Sequence, residues 1–196
     1  MVTTTRIIVR SRHTPIAKIE AKHPGAAIVD VTSRGPEPWV RFSPFYPLGE
    51  LPLPFTPGHR GASVEGIWQG LKVFESADVD LAVMAKTNMR GLKRTVRRYG
   101  RCLGHRRGVE GEALLGYIEA RHAIYAPLYR FALENRLQEE VLKLCALARS
   151  QPVVLLDYET NCDIDDPRKP LSHAGLVAAY IRERLAADID RDALAS

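Results

Sequence analysis

Three polar side chains share one side of a helix predicted over residues 63–74, SVEGIWQGLKVF. Because each helical residue advances about 100°, Glu65, Gln69 and Lys72 fall within a sector of about 60°. Trp68 borders this polar stripe. An acid, an amide, an ammonium group and an indole on one face can converge on one small ligand. The same spacing also describes the solvated face of an ordinary surface helix, so the pattern alone leaves both interpretations open.

A second group of polar residues follows the most apolar segment of the chain, PVVLLDY at 152–158, which predicts a strand buried on both faces. Loops at the carboxyl ends of buried strands often carry functional groups, whereas Asx residues and prolines also stabilise plain turns. The loop lacks the central glycine and the final glutamate of a calcium-binding loop, so no metal site is expected. The polar residues of this loop are Asp157, Glu159, Asn161, Asp163, Asp165 and Asp166.

The helices and strands that must position these residues indicate an α+β fold. We expect one predominantly α-helical domain over residues 1–196, with a few short β-strands. β-branched runs predict strands at 6–10 and 26–32, and a further short strand at 38–42. Apolar spacing and capping residues predict helices at 63–74, 76–85, 111–126 and 173–187. Another helix is predicted to follow Pro127 and to run to about residue 150. The final residues, DIDRDALAS, are expected to fray.

Positive charge is concentrated in residues 86–107, which hold nine Lys or Arg residues and no Asp or Glu. Helical spacing predicts one amphipathic helix here, with Met89, Leu92, Val96 and Tyr99 buried, and Arg90, Arg94, Arg97 and Arg101 on the opposite, solvated face. Such a face attracts phosphate groups. Nucleic-acid binding through this basic helix is therefore one possible function, although aromatic residues for base stacking are scarce in the segment.

Composition narrows the class of protein. The chain has 196 residues with 45% hydrophobic and 26% charged residues and a net charge of +5, values typical of globular proteins. The three cysteines are widely spaced and predict reduced thiols rather than disulfides or a zinc site. No apolar run is long enough for a membrane span or a signal peptide. A cytoplasmic protein without membrane contact or cofactor is expected, and the sequence leaves its oligomeric state open.

Two motifs resemble the NADAR family, also called YbiA-like. The segment FSPFYP, residues 42–47, is similar to the FSNFYP motif of that family, and Ser63, Glu65, Gln69 and Lys72 match its S-x-E-x-x-x-Q-x-x-K pattern. A weaker likeness continues through a Gly-Arg pair at 100–101, a strand leading to an acid, a following Asp and a final helix. It spans about residues 39–185, with the strands before residue 39 as an extension. The Trp-Gly pair that usually follows the late Asp in this family is missing.

The resemblance implies an N-glycosidase that hydrolyses a ribosyl C–N bond in a nucleotide-like or ADP-ribosylated substrate. A carboxylate can stabilise the cation that develops at the anomeric carbon. The implied catalytic residues are Glu65, with Asp163 as its partner, and Lys72 as an anchor for a phosphate or carboxylate. The implied substrate-binding residues are Phe45, Tyr46, Trp68, Gln69, Arg101, Asn161 and Asp165, with Asp165 competing with Asp163 as the second acid. Asp157 is expected to be structural. A non-catalytic module that binds nucleotide or ADP-ribose is the alternative that the missing Trp-Gly pair favours.

Overall fold

The computed structural model describes residues 6–194, and the side chains up to residue 189. The predictions that touch residues 1–5 and 195–196 lie outside this range. The strands are β1 (Ile7–Ser11), β2 (Ala27–Asp30), β3 (Leu51–Pro52), β4 (Arg60–Gly61), β5 (Lys72–Phe74), β6 (Cys102–Arg106), β7 (Leu114–Leu115) and β8 (Val153–Asp157). The helices are α1 (Ile16–Lys22), α2 (Val64–Gly70), α3 (Leu81–Met84), α4 (Val96–Tyr99), α5 (Tyr117–Ala120), α6 (Ala126–Asn135), α7 (Gln138–Ser150) and α8 (His173–Leu194).

These elements form an α+β fold in which helix predominates over short strands, which confirms the predicted fold class. The chain forms two compact units. The first unit contains residues 6–43, 137–163 and 169–194, and the second contains residues 44–136 and 164–168. No helix in the described range is long and apolar enough to cross a membrane.

A parallel sheet with strand order β1-β8-β2 forms the centre of the first unit. All five residues of β8 are buried, as the apolar run at 152–158 predicts. On one face, Ile19 of α1 packs with Val154 and Leu156 of β8. On the other face, α8 packs against β1 and β8. The strands predicted around residues 6–10, 26–32 and 152–158 are therefore confirmed.

Helix α2 is the buried centre of the second unit, since all seven of its residues are buried. It begins with Ser63 as N-cap, whose Oγ accepts a hydrogen bond from the amide of Gly66 at 3.0 Å. Helix α3 packs against it so closely that a Cβ atom on Gly70 would lie 2.4 Å from Cγ of Met84. An antiparallel sheet with strand order β5-β6-β7 follows α2 in this unit.

Several predicted elements are wrong in type or length. Residues 39–42 form a 3₁₀ turn instead of a strand. The helix predicted over 63–74 ends at Gly70, because Leu71 is its C-cap and Lys72 starts β5. The helix predicted over 76–85 covers only Leu81–Met84, and that predicted over 111–126 is divided among β7, α5 and the π-helical segment Arg121–Tyr125. The helix predicted over 173–187 continues to Leu194.

The predicted basic helix over residues 86–107 does not form. Only Val96–Tyr99 is helical, and Cys102–Arg106 is a strand paired with β5 and β7. Two residues of this segment also differ from the prediction in their exposure. Val96, predicted to be buried, is 64% exposed, and Arg94, predicted to be solvated, is 6% exposed. The glycines at 91 and 100 adopt positive φ angles that interrupt a helix.

Candidate functional site

A buried acid and amide lie one turn apart on α2, which confirms that Glu65 and Gln69 share a face. Nε2 of Gln69 donates to Oε1 of Glu65 at 2.8 Å, and the two residues are 8% and 5% exposed. The amide of Glu65 donates to the carbonyl of Pro44 at 2.8 Å, which attaches the FSPFYP segment to the helix. The polar pair of the motif is therefore a buried group, not part of a solvated face.

Lys72 reaches this pair from a strand. Burial lowers the pKa of its ammonium group, and the negative charge of Glu65 opposes that shift. Lys72 pairs directly with His105 in the antiparallel register of β5 and β6. Since directly opposite residues project to the same face of a sheet, the side chains of Lys72 and His105 are neighbours.

His105 is the residue of this cluster that the sequence did not reveal. Its side chain is 2% exposed, and neither ring nitrogen has a hydrogen-bond partner among the described residues. Burial, reinforced by the charge of Lys72, lowers the pKa of His105 to about 3, so the imidazole is neutral at physiological pH. No signal in CLGHRR marks this position, because its burial results from the pairing of β5 with β6.

Trp68 provides an aromatic wall for the cluster. Its indole lies 3.7 Å from the ring of His105 and 5.3 Å from the ring of Tyr125, measured between centroids. Trp68 is 8% exposed. We define the polar cluster as Glu65, Trp68, Gln69, Lys72 and His105. It combines a carboxylate, an amide, an ammonium group and a neutral imidazole in a setting of low water access.

Arg94 fixes the backbone that carries the cluster. Its Nη1 donates to the carbonyls of Gln69 at 3.3 Å and Lys72 at 2.6 Å, and its Nη2 donates to the carbonyl of Asp78 at 2.7 Å. Its backbone amide donates to Oε1 of Gln69 at 3.1 Å. The prediction that Arg94 is solvated is wrong, because its side chain is buried and donates to carbonyls of α2, of β5 and of the segment that follows β5.

The other predicted binding residues of the second unit lie nearer the surface. Phe45 and Tyr46 are half-buried, and Nζ of Lys93 lies 5.8 Å from the centroid of the Phe45 ring. The side chain of Arg101 is 78% exposed, and its Nε lies 3.5 Å from a carboxylate oxygen of Glu75. Arg101 is thus a surface cation.

The loop that follows β8 and contains Asp163 and Asp165 is divided between the two units. Asp163 belongs to the first unit and is exposed, and its amide donates to Oδ1 of Asn161 at 3.0 Å. Nδ2 of Asn161 donates to the carbonyl of Lys169 at 3.2 Å, so this amide group organises the loop. Asp165 belongs to the second unit, where Oδ1 of its exposed side chain lies 2.7 Å from Nε2 of His122. Among the described residues, no three acidic, His or Cys side chains cluster as metal ligands.

Asp157, expected to be structural, is a buried acid at the end of β8 that contacts the start of α8. Its Oδ2 accepts hydrogen bonds from Oγ of Ser172 at 2.7 Å and from the amide of Ala174 at 3.2 Å, and lies 3.0 Å from Nδ1 of His173. Burial raises the pKa of Asp157, but the charge of His173 and these hydrogen bonds outweigh it, and the pKa is lowered. The contacts join the end of β8 to α8.

Comparison with protein-family models identifies a family. Residues 11–177 match the model of DUF6939, a family of unknown function. No curated protein and no solved structure matches the chain significantly.

Proposed function

The chain belongs to DUF6939, a family of unknown function, and from the resemblance of two of its motifs to the NADAR family we propose that it is an N-glycosidase. The proposed reaction is hydrolysis of a ribosyl C–N bond in a nucleotide-like or ADP-ribosylated substrate. The observation that carries this proposal is the polar cluster on α2 and β5, in which buried Glu65 and Gln69 are hydrogen bonded beside Lys72. Burying such groups costs free energy, which a functional role would account for.

Glu65 is proposed to stabilise the reacting ribose. When the C–N bond breaks, its electron pair leaves with the nitrogen, which then takes up a proton, and positive charge develops at the anomeric carbon. A carboxylate in a site of low water access stabilises this charge more strongly than it would in bulk water. A water molecule adds its oxygen to the anomeric carbon and releases a proton. The hydrogen bond from Gln69 orients the carboxylate.

His105 supports a ligand site at this position. Buried polar atoms without hydrogen-bond partners are rare in folded proteins, and each such atom calls for a partner such as a ligand or a bound water. Both ring nitrogens of His105 meet this description among the residues that the structure covers. A neutral imidazole can donate through one nitrogen and accept through the other, which suits ribose hydroxyl groups or the attacking water.

The remaining roles follow the resemblance. Lys72 anchors a phosphate or carboxylate of the substrate, Trp68 stacks on a base, and Gln69 contacts ribose hydroxyl groups. Phe45, Tyr46, Arg101 and Asn161 are proposed to bind further parts of the substrate. Asp163 is the proposed second acid, and Asp165 its competitor.

The experiment is an assay of the purified chain against nucleosides, nucleotides and ADP-ribosylated proteins and nucleic acids, with chromatographic detection of the released base or ADP-ribose. Replacing Glu65 by Gln is expected to reduce kcat by at least about 100-fold, because it removes the charge that stabilises the transition state. Glu110→Gln is the matched control, since Glu110 is an exposed acid in the same unit.

Each alternative has its own outcome in this assay. An active enzyme that Glu65→Gln leaves unchanged would refute the assigned role. Tight ADP-ribose binding in calorimetry without turnover would support the non-catalytic binding module instead. Affinity for unmodified nucleic acid that falls steeply with salt would support the nucleic-acid alternative, whose predicted basic helix does not form.

A further inference from the structure

The first unit contains a cleft that the proposed hydrolase does not use. Its volume is about 680 Å³, within the range of roughly 300–1,000 Å³ that small-molecule sites occupy. Its lining includes Arg12, Ala26, Ile28, Asp30, Trp39 and Leu156, all of which belong to the first unit. The cleft therefore combines an apolar wall with an ion pair and an indole.

The cleft lies on the face of the parallel sheet that packs against α1. Ala26, directly before β2, and Ile28 and Asp30 of β2 alternate along the chain and face the same way, and Leu156 packs with Ile19 of α1 on that face. The cleft extends along this face to the carboxyl ends of the strands. Arg12 directly follows β1, and Asp30 is the last residue of β2, so both stand at this end of the sheet.

Arg12 is held so that it presents unused donors. Its backbone amide donates to the carbonyl of Asp157 at 2.8 Å, and its Nε donates to Oδ2 of Asp30 at 2.8 Å. The other oxygen of Asp30 accepts from the amide and hydroxyl of Thr32. Nη1 and Nη2 of Arg12 make no hydrogen bond to any described residue, and the side chain is 34% exposed. The guanidinium therefore retains donors in the geometry that binds a phosphate or a carboxylate.

The apolar part of the cleft suits a flat ring. Trp39 is half-buried and stacks on Phe42, with ring planes inclined by 7° and centroids 6.3 Å apart. Ile28 and Leu156 contribute aliphatic surface. Glu20 also lines the cleft, but its side chain is exposed, so solvent screens its charge. We propose that this cleft binds a small planar ring that carries an anionic group, with Arg12 holding the anion and Trp39 packing against the ring.

The test is calorimetry of the full chain with two matched pairs of probes, AMP against adenosine and nicotinate against nicotinamide. At least one anionic probe is expected to bind, and its neutral counterpart is expected to bind at least about tenfold more weakly, because it lacks the group that pairs with Arg12. The pair that binds distinguishes a phosphate ligand from a carboxylate ligand.

Two variants with matched controls locate the site. Arg12→Gln removes the guanidinium, and Ala26→Leu fills the cleft while leaving the ion pair intact. Each is expected to weaken binding of the anionic probe by about tenfold or more. The controls are Arg34→Gln and Ala17→Leu, which change exposed residues outside the lining of the cleft. Thermal unfolding of every variant identifies any loss of binding that is due to misfolding.

Amide shifts in NMR spectra separate this site from the proposed hydrolase site. The anionic probe is expected to shift the amides of residues 12–14 and 16, in Glu65→Gln as in the unmodified chain. The proposal is overturned if neither anionic probe binds, if neutral probes bind equally well, or if shifts are confined to residues 65–72. It is also overturned if the folded Arg12→Gln and Ala26→Leu variants bind like their controls.

Discussion

The imidazole of His105 lies against the indole of Trp68, with ring centroids 3.7 Å apart and planes inclined by 31°. His105 is on β6 and Trp68 is on α2, so their contact joins the sheet of the second unit to its buried helix. Both rings are buried, and burial, reinforced by the charge of Lys72, lowers the pKa of His105 to about 3.

His105 is expected to destabilise the fold as the pH falls. Its pKa is about 3 in the folded chain and about 6.5 when unfolded, so between these values the unfolded chain binds a proton that the folded chain does not. Above pH 6.5, His105 therefore does not lower the free energy of unfolding. As the pH falls from 6.5 towards 3, the free energy of unfolding is expected to decrease by up to about 1.4 kcal/mol per pH unit. His105→Phe retains an aromatic ring and is expected to flatten this dependence.

Urea unfolding at a series of pH values measures the effect of His105→Phe. His59→Phe, at an exposed position, is the control and is expected to retain the dependence of the unmodified chain. Equal slopes for His105→Phe and His59→Phe would contradict the prediction. A second measurement is the NMR titration of the His105 ring, which is expected to stay neutral at pH 5.

Glu65 and Lys72 are expected to be linked electrostatically. Burial lowers the pKa of Lys72, and the Glu65 carboxylate counteracts part of this shift. Glu65→Gln removes the carboxylate, so the pKa of Lys72 is expected to fall further. An NMR titration of the Lys72 side chain measures this change, with Glu110→Gln as the control. A pKa for Lys72 that is unchanged or higher in Glu65→Gln would show that the two groups are not coupled.

Arg94 is expected to be essential for stability despite its position in a basic segment. Arg94→Met removes the donors for three carbonyls and is expected to lower the free energy of unfolding by about 3 kcal/mol. Arg97→Met removes the same group at an exposed position, where a change of less than about 0.5 kcal/mol is expected. Chemical denaturation of both variants checks the difference, and equal stabilities would refute the structural role of Arg94.

Local sequence patterns predicted part of the site. The i and i+4 spacing of Glu65 and Gln69 fixes their contact once α2 forms, and the Ser63 cap and the apolar residues of α2 are enough to predict the start of that helix. The same pattern placed Lys72 on the helix, which is wrong. Lys72 nevertheless lies close enough to Glu65 for the carboxylate to act on the pKa of Lys72, because the chain turns at Leu71 and continues as β5.

The error in residues 86–107 has a different physical cause. Apolar residues at helical spacing predicted one helix, but β6 forms by pairing with β5 and β7, which lie far from one another in sequence. Hydrogen bonding between distant strands can override weak local preferences. For the same reason, the sequence did not identify Arg94 as a buried clamp, and it gave no reason to single out His105.

The sequence by itself determined the α+β composition, the buried strand β8, and the acid and amide pair of α2, because each depends on residues within one or two helical turns or one strand. Only the tertiary structure determined that His105 lacks hydrogen-bond partners, that Arg12 presents free donors above a cleft, and that Lys72 approaches Glu65 from a strand. These features depend on which distant segments pack together, and packing sets the burial, and hence the charge state, of each polar group.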